Sequence, residues 1–575
     1  MRRTIALLTV LVMVCSVAVP AGVVAAESAP QAGVTESPAV ADTETNQTTA
    51  DHPPDPESDR LGWENGYWYN ETLSVTAEDG LNDSELDRVV ARSMARVEVI
   101  RGLEFNGTVP VEVISREEFR EEQNGSSTNT STANRLHQNV KWEAMLSIGE
   151  SENALQTTES TRSATVGGYY SPSEDRIVIV SENTTTPQMD EITLSQELFH
   201  ALQDQTLRIS FNRSTQEGIN ARNGIVEGDG NLVDRLYEQR CGEGWDCVIP
   251  ESDGSNGGGS DTSDINFGIY LTQYQPYSDG PKFVQQIRRK GGWEAVNDVY
   301  ENPPTSSEQV IHTEKYPEEG PVNITFEDTS SESWYVPDMG NGSVDYARYG
   351  QAGLSAMFMR TAYAQQGTPV VSPQEFLNIT DGGISDFDPL NYGLDLTNGW
   401  GNDKLYPYAT NDSIETNETG YVWQIEWDTE DDASEFANGY VDLLEYYGGQ
   451  AVAGNESTYR IPDENEFGDA FYVGVEGSTV MLVNGPNVSS LPEIRAGAAP
   501  AVETTFGETT TPSNGETPTP SNGETTTSPN GETTSASNGE TRADDTGSGF
   551  GPGFGVLAAL GTVVAAGLVA LRRRN

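Results

Sequence analysis

Ile192-Thr193-Leu194-Ser195-Gln196-Glu197-Leu198-Phe199-His200-Ala201-Leu202-Gln203-Asp204-Gln205 has the length and spacing of one helix. Thr186-Pro187 just upstream is a helix-opening pair, Thr as N-cap and Pro at the first helical position, and predicts that the helix starts there. Before it, Arg176-Ile177-Val178-Ile179-Val180 is a short apolar run of strand length, expected to be buried. Residues four apart share a helix face, so Gln196 and His200 point the same way with Glu197 beside them. Downstream, Gly224-Ile225-Val226-Glu227-Gly228-Asp229-Gly230-Asn231-Leu232-Val233 brings further carboxylates. Glu227 follows His200 by 27 residues, enough chain for a return to the same face.

A strand followed by a helix bearing His-Glu-x-x-His is the arrangement of zincin metallopeptidases. The run Glu197-Leu198-Phe199-His200-Ala201-Leu202-Gln203-Asp204-Gln205 resembles the metallopeptidase stretch H-E-L-x-H-A-L-Q-D-Q, and Gly224 to Val233 resembles the Glu-Gly helix of gluzincins. Tyr277 to Val284, Gly291-Gly292-Trp293 and Pro303 to His312 are similar to recurring segments of that group, so the resemblance spans about residues 160–318. It implies a zinc ion held by two imidazoles and Glu227, with Glu197 polarising the bound water. Here Gln196 replaces the first ligand, and a neutral amide oxygen is a far poorer zinc ligand than imidazole. The resemblance therefore implies His200 and Glu227 as metal ligands and Glu197 as a vestigial general base.

Three readings stay open. His200 is a histidine left from an ancestral site, bonded to carboxylates and holding no cofactor. Alternatively, Asp204 or Asp229 joins His200 and Glu227 in a rebuilt site for zinc or a harder divalent ion. In the third, a weakened zinc peptidase uses Gln196. His312 is expected to be a structural or pocket histidine. No Gly-x-Ser-x-Gly elbow with a matching His is present to support serine nucleophile chemistry.

The composition sets the solvent. There are 89 Asp and Glu against 32 Lys and Arg, a formal net charge of −57, and only five of the basic residues are Lys. This excludes nonspecific nucleic-acid binding as a main role. Dispersed acid with so little Lys resembles halophile proteins, whose surfaces work in molar salt where the Debye length is about 3 Å. Nine Trp, 23 Tyr and 16 Phe supply enough apolar surface for a core, which argues against a disordered acidic chain.

The ends address the chain to the cell surface. Residues 1–26 read as a signal peptide: Arg2 and Arg3, an apolar run from Ile5 to Val19, and a small-residue cleavage site at Val24-Ala25-Ala26. Residues 27–60 are an acidic leader without periodicity. Residues 498–547 form a Thr/Ser/Pro/Gly stalk in which Asn-Gly-Glu-Thr recurs every eight residues from Asn514 to Asn538. Residues 548–575 combine Pro552-Gly553-Phe554, an apolar run to Leu571 and Arg572-Arg573-Arg574. This end resembles the PGF-CTERM sorting signal of haloarchaeal surface proteins, in which an archaeosortase replaces the helix by a lipid. A permanent transmembrane helix would place the protein on the same extracellular face. Sequons from Asn46 to Asn487 fit a glycosylated exterior, and Cys241 and Cys247 are expected to form a disulfide there.

Between these ends, the expected fold is α+β: a zincin-like α/β domain over 61–345 and a smaller β-α-β-β module over 346–497. In the module, Val422 to Trp427, Ala470 to Val473 and Thr479 to Val483 read as strands, and Asp431 to Tyr447 as a helix. Asp428, Glu430, Asp431 and Asp432 read as an acidic helix start. The expected role is a non-catalytic surface protein on a peptidase-derived scaffold. It would bind envelope components or peptides; the alternatives are a metal-dependent surface peptidase and a structural envelope glycoprotein. The acidic surface should make folding salt-dependent. Trp fluorescence should report unfolding as KCl falls from molar to about 0.1 M, where repulsion reaches about 10 Å; an unchanged spectrum over that range would refute it.

Overall fold

The computed structural model describes residues 53–501 except 128–129, 182, 210–213, 251–264, 341–342, 365–366 and 381–382. The expected signal peptide, most of the leader, nearly all of the stalk and the C-terminal sorting segment lie outside the described residues. None of the described helices is long and apolar enough to cross a membrane.

The fold is α+β. A hairpin of β1 (Trp63–Glu64) and β2 (Tyr67–Trp68) leads into helix α1 (Asp83–Arg101), which opens with a capping box at Asn82 and Glu85 and closes on Gly102 in the left-handed region. Next come β3 (Val111–Ile114), α2 (Arg116–Ser127), α3 (Thr132–Ala144), α4 (Ala154–Thr165), β4 (Gly168–Ser171) and β5 (Arg176–Val180). The small sheet has the order β3-β5-β4. β5 lies in the middle, parallel to β3 and antiparallel to the edge strand β4. Being central, β5 is buried over four of its five residues, which is why it reads as an unbroken apolar run.

Three long helices follow: α5 (Glu191–Thr206), α6 (Gln216–Glu243) and α7 (Phe267–Glu301). Helix α5 begins later than Thr186-Pro187 predicts. Its N-cap is Asp190, whose side chain accepts from the Ile192 N–H. The reason is tertiary: the Pro187 carbonyl accepts the Leu81 N–H at 3.0 Å, and Gly80 packs against Thr186, so the segment is held extended.

Helices α6 and α7 cross backbone to backbone. A Cβ on Gly228 would lie 2.4 Å from the Gly280 carbonyl carbon, so glycine is required for this approach. Helix α7 breaks at Gly292 (φ 72°, ψ −164°), a conformation open to glycine. Cys241, in the last turn of α6, is disulfide-bonded to Cys247.

The remaining elements are α8 (Ser307–Ile311), α9 (Gly350–Met359), α10 (Pro373–Phe376), β6 (Ile379–Thr380), β7 (Gly383–Ile384), β8 (Trp400–Ala409), α11 (Ser413–Thr416), β9 (Thr419–Trp427), α12 (Glu430–Tyr446), β10 (Gln450–Ala451), β11 (Thr458–Arg460), β12 (Ala470–Glu476), β13 (Thr479–Gly485) and α13 (Leu491–Ile494). Strands β8 to β13 form one antiparallel sheet, β10-β11-β12-β13-β9-β8, with α12 packed on it. The sheet is thus larger than the expected β-α-β-β unit, gaining β8 at one edge and β10 and β11 at the other. Its apolar core is continuous with residues of α3, α7 and α9, so the expected 345/346 boundary runs through shared packing.

Glu191, the first residue of α5, anchors the helix array. It is 1% exposed and accepts from Arg92 Nη2 (2.8 Å), Arg96 Nη1 (2.7 Å), Ser93 Oγ (3.2 Å), Tyr237 Oη (2.6 Å) and the Val248 N–H (2.7 Å). Replacing it with Ala strands two buried guanidinia. Glu191→Ala should lose about 3–5 kcal/mol in urea denaturation at molar KCl, and a loss below about 1 kcal/mol would show that the network is not structural.

Candidate functional site

Helices α5 and α6 bring the peptidase-like residues together. His200 Nε2 and Glu227 Oε2 stand 3.3 Å apart, and both residues are 1% exposed. Gln196, one turn before His200, shares its face. A Cβ on Gly230 of α6 would lie 3.1 Å from His200 Cε1 and 3.6 Å from Gln196 Cγ, so this glycine leaves room for both side chains. Glu197 is 1% exposed, and neither of its carboxylate oxygens has a side-chain hydrogen-bond partner. Its polar surroundings are His200, Glu227 and the Tyr170 backbone N–H of the edge strand β4. The Tyr277 phenol of α7 lies against Glu227 and Glu197.

A directional chain of hydrogen bonds orients the imidazole. His200 Nδ1–H donates to Gln203 Oε1 at 2.7 Å. Gln203 Nε2 donates to the Val226 carbonyl at 2.9 Å and to Tyr300 Oη at 2.6 Å. Tyr300 donates to Asp229 Oδ2 at 2.9 Å, and Arg101 clamps Asp229 through Nε and Nη2. With Nδ1 carrying a proton, Nε2 is the atom that faces Glu227, the kind of orientation an outer-shell partner imposes on a metal-binding histidine. Gln203 stood in the quoted helix; its role was not legible, because nothing in the sequence says that Tyr300 returns from the end of α7 to meet it.

Asp204 and Asp229 have other occupations. Asp204 Oδ2 lies 3.0 Å from the Tyr170 hydroxyl, which also meets Asp175, while Asp229 is bound by Arg101 and Tyr300. His312 shares a contact with Gln351 at 3.1 Å and lies 3.9 Å from Glu314.

Burial drives His200 toward its neutral form, but the Glu227 carboxylate, helped by Glu197 and Gln203, outweighs it and raises the imidazole to about 9. Burial pushes Glu197 up to about 7, with His200 opposing and Glu227 adding. At neutral pH the cluster therefore carries an imidazolium beside Glu227. The residues fit a zinc site only in part. Two tetrahedral ligands with bonds of about 2.0–2.1 Å stand about 3.3 Å apart, as His200 and Glu227 do, but the third position is the neutral Gln196 amide.

A second acidic group could hold a cation. Glu308, Glu319 and Asp428 bring ligand oxygens within 4.8 Å of one another. Lys315 already lies among them, 2.7 Å from Glu308 and 3.3 Å from Asp428, with Glu319 also paired to it. Its ammonium supplies the positive charge that a metal would otherwise bring. Asp428 immediately precedes Thr429, the N-cap of α12, and Glu430, Asp431 and Asp432 form that helix's first turn.

Residues 336–495 match a family described as a domain of unknown function (DUF8575). No curated protein and no solved structure matches the chain.

The pH dependence follows from the raised His200. Its contribution is fully present below the unfolded value near 6.5 and is lost as pH rises through about 9. Glu197 acts in the same direction, losing its favourable neutral form as pH passes about 7. In the presence of a chelator, wild-type stability should fall between pH 6.5 and 9.5 by on the order of 2–3 kcal/mol more than that of His200→Gln. Parallel pH profiles for the two proteins would show that the pair is not ionised.

Proposed function

We propose that this chain is an exported, C-terminally anchored cell-surface protein built on a zincin-like metallopeptidase scaffold, in which the former catalytic centre serves as a buried ion-pair cluster. The observation that carries this is the burial of the whole constellation. Gln196 is 7% exposed, and Glu197, His200 and Glu227 are 1% exposed, so a polypeptide has no approach to them without rearrangement of α5 to α7. The neutral Gln196 amide in the first-ligand position supports the same reading. So do the edge strand β4 beside α5 and the glutamate returned by α6, an arrangement similar to that around zincin centres. In its present role the cluster ties α5 to α6, and outward-facing surfaces take up envelope components. A Zn or other divalent metal would be held by His200 and Glu227, which supply two of three ligands; no catalytic step is assigned to it.

The 3.3 Å spacing of His200 and Glu227 favours a second reading, a surface peptidase with a rebuilt or weakened metal site. The Gln196→His variant distinguishes them. Wild-type protein in molar KCl should bind zinc weakly and cleave no unstructured peptide, while Gln196→His should take up about one equivalent of zinc. Tight stoichiometric metal in the wild type, or peptide cleavage abolished by Glu197→Gln, would overturn the non-catalytic reading. No zinc uptake by Gln196→His would overturn the metallopeptidase ancestry.

A further inference from the structure

Away from that cluster, two carboxyls from different elements are buried against one another with no cation between them. Glu64, at the end of β1, is 3% exposed, and Glu98, near the end of α1, is 0% exposed. Glu98 is already engaged by two backbone donors: its Oε2 accepts the Gly62 N–H at 2.7 Å and its Oε1 the Phe105 N–H at 2.9 Å. Glu64 meets it side chain to side chain, and Glu64 Oε1 has no hydrogen-bond partner. The other charged groups facing the pair are acids, Asp59 on the approach to β1 and Glu104 on the segment after α1. Opposite Glu64, β2 brings the Tyr67 phenol, and Arg60 lies over the Trp68 ring, 5.7 Å from its centroid.

A hydrogen bond between two carboxyls needs a proton on one of them, because an ionised carboxylate only accepts. Without that proton, two desolvated negative charges would face each other. Burial, with Glu98, Asp59 and Glu104 adding to it, pushes Glu64 up to about 9. Burial raises Glu98 as well, but the Gly62 and Phe105 N–H groups oppose the rise. Glu64 is therefore the partner that carries the proton and Glu98 the one that accepts it.

The pair sits where the β1–β2 hairpin lies on α1. Gly62 has φ 86° and packs so closely that a Cβ there would lie 2.9 Å from Val99 Cγ2 of the helix. Past β2 the chain is fastened differently. Arg96 Nε donates to the Tyr69 carbonyl at 2.8 Å and Arg92 Nη1 to the Glu71 carbonyl at 3.1 Å, and neither bond involves the carboxyl proton. The hairpin thus has one fixed end and one end whose seat depends on a single proton. We infer that Glu64 and Glu98 form a proton-bridged latch, which holds the N-terminal hairpin on α1 and lets it swing out from Tyr69–Glu71 as the solution turns alkaline. Opening wets Glu64 and returns it to the ordinary glutamate value near 4.5. The closed form is therefore favoured fully below that value and loses ground as pH rises through about 9, with opening growing by up to about tenfold per pH unit.

The test is hydrogen–deuterium exchange, read by mass spectrometry, on the folded protein in molar KCl between about pH 6 and 9.5. Wild type and Glu64→Gln are compared at the same pH, so that the intrinsic exchange chemistry cancels. A glutamine at this position donates an N–H to Glu98 at every pH and keeps the latch shut. The exchange rate of residues 61–70 in wild type, relative to Glu64→Gln, should rise at least about tenfold from pH 7 to pH 9, while peptides of α1 change little. A constant ratio overturns the latch. So does a wild-type hairpin that loses protection only together with α1, because the event is then global unfolding. Should Glu64→Gln not fold, the wild-type hairpin is set against the wild-type α1 peptides, each corrected for intrinsic exchange, and parallel pH profiles overturn the latch equally.

Discussion

The helical half of the molecule depends on burying the Glu191 carboxylate without leaving it or its partners unsatisfied. Glu191 draws donors from α1, from α6 and from the backbone just past the disulfide. Because it is the first residue of α5, fixing it fixes the rotational phase of that helix. The face carrying Gln196, Glu197 and His200 then has only one direction to point, toward α6. Asp229 repeats the device one level down, tying α6 to α1 through Arg101. Charges taken this far from water hold geometry more than they add net stability, because their desolvation consumes most of their attraction.

Between the two anchors lies the cluster that resembles a metal centre. Its geometry is that of an imidazole oriented from behind and offered to a carboxylate, and the same geometry serves an ion pair equally well. What distinguishes the two uses is the neighbour at position 196. An amide there leaves the imidazolium and Glu227 to neutralise one another, and Tyr277 and Gly230 enclose them.

How much of this was legible depended on whether a residue's role was local. β5 could be read to the residue, because a central strand is apolar throughout. The core of α12 was legible from its spacing and β9, β12 and β13 from their alternation, although one end of each strand extends two or three residues further and α12 is displaced by one. The start of α5 was misread because a good local signal at Thr186-Pro187 lost to contacts with Gly80 and Leu81, a hundred residues away. β8 gave no clear alternation: a bulge near Trp400 and Pro407 interrupt it, and burial on both sides removes the polar face. At the site, His200 and Glu227 could be paired from motif and spacing. The diversion of Asp204 to Tyr170 and of Asp229 to Arg101 could not, since it depends on which way two helices turn.

The buried arginines bear on how the protein behaves as a polyelectrolyte. Arg92, Arg96 and Arg101 are among the largest fully buried side chains, and they pair with the buried carboxylates Glu191 and Asp229. Three guanidinia are thereby withdrawn from the exterior of a chain already short of cations. The hydration and counter-ion atmosphere of the outer shell are set by carboxylates with few ammonium groups between them. Internal architecture and solvent are coupled through a single resource: every guanidinium used to hold a helix in place is one fewer to discharge the surface, and the dissolved cations must make up the difference.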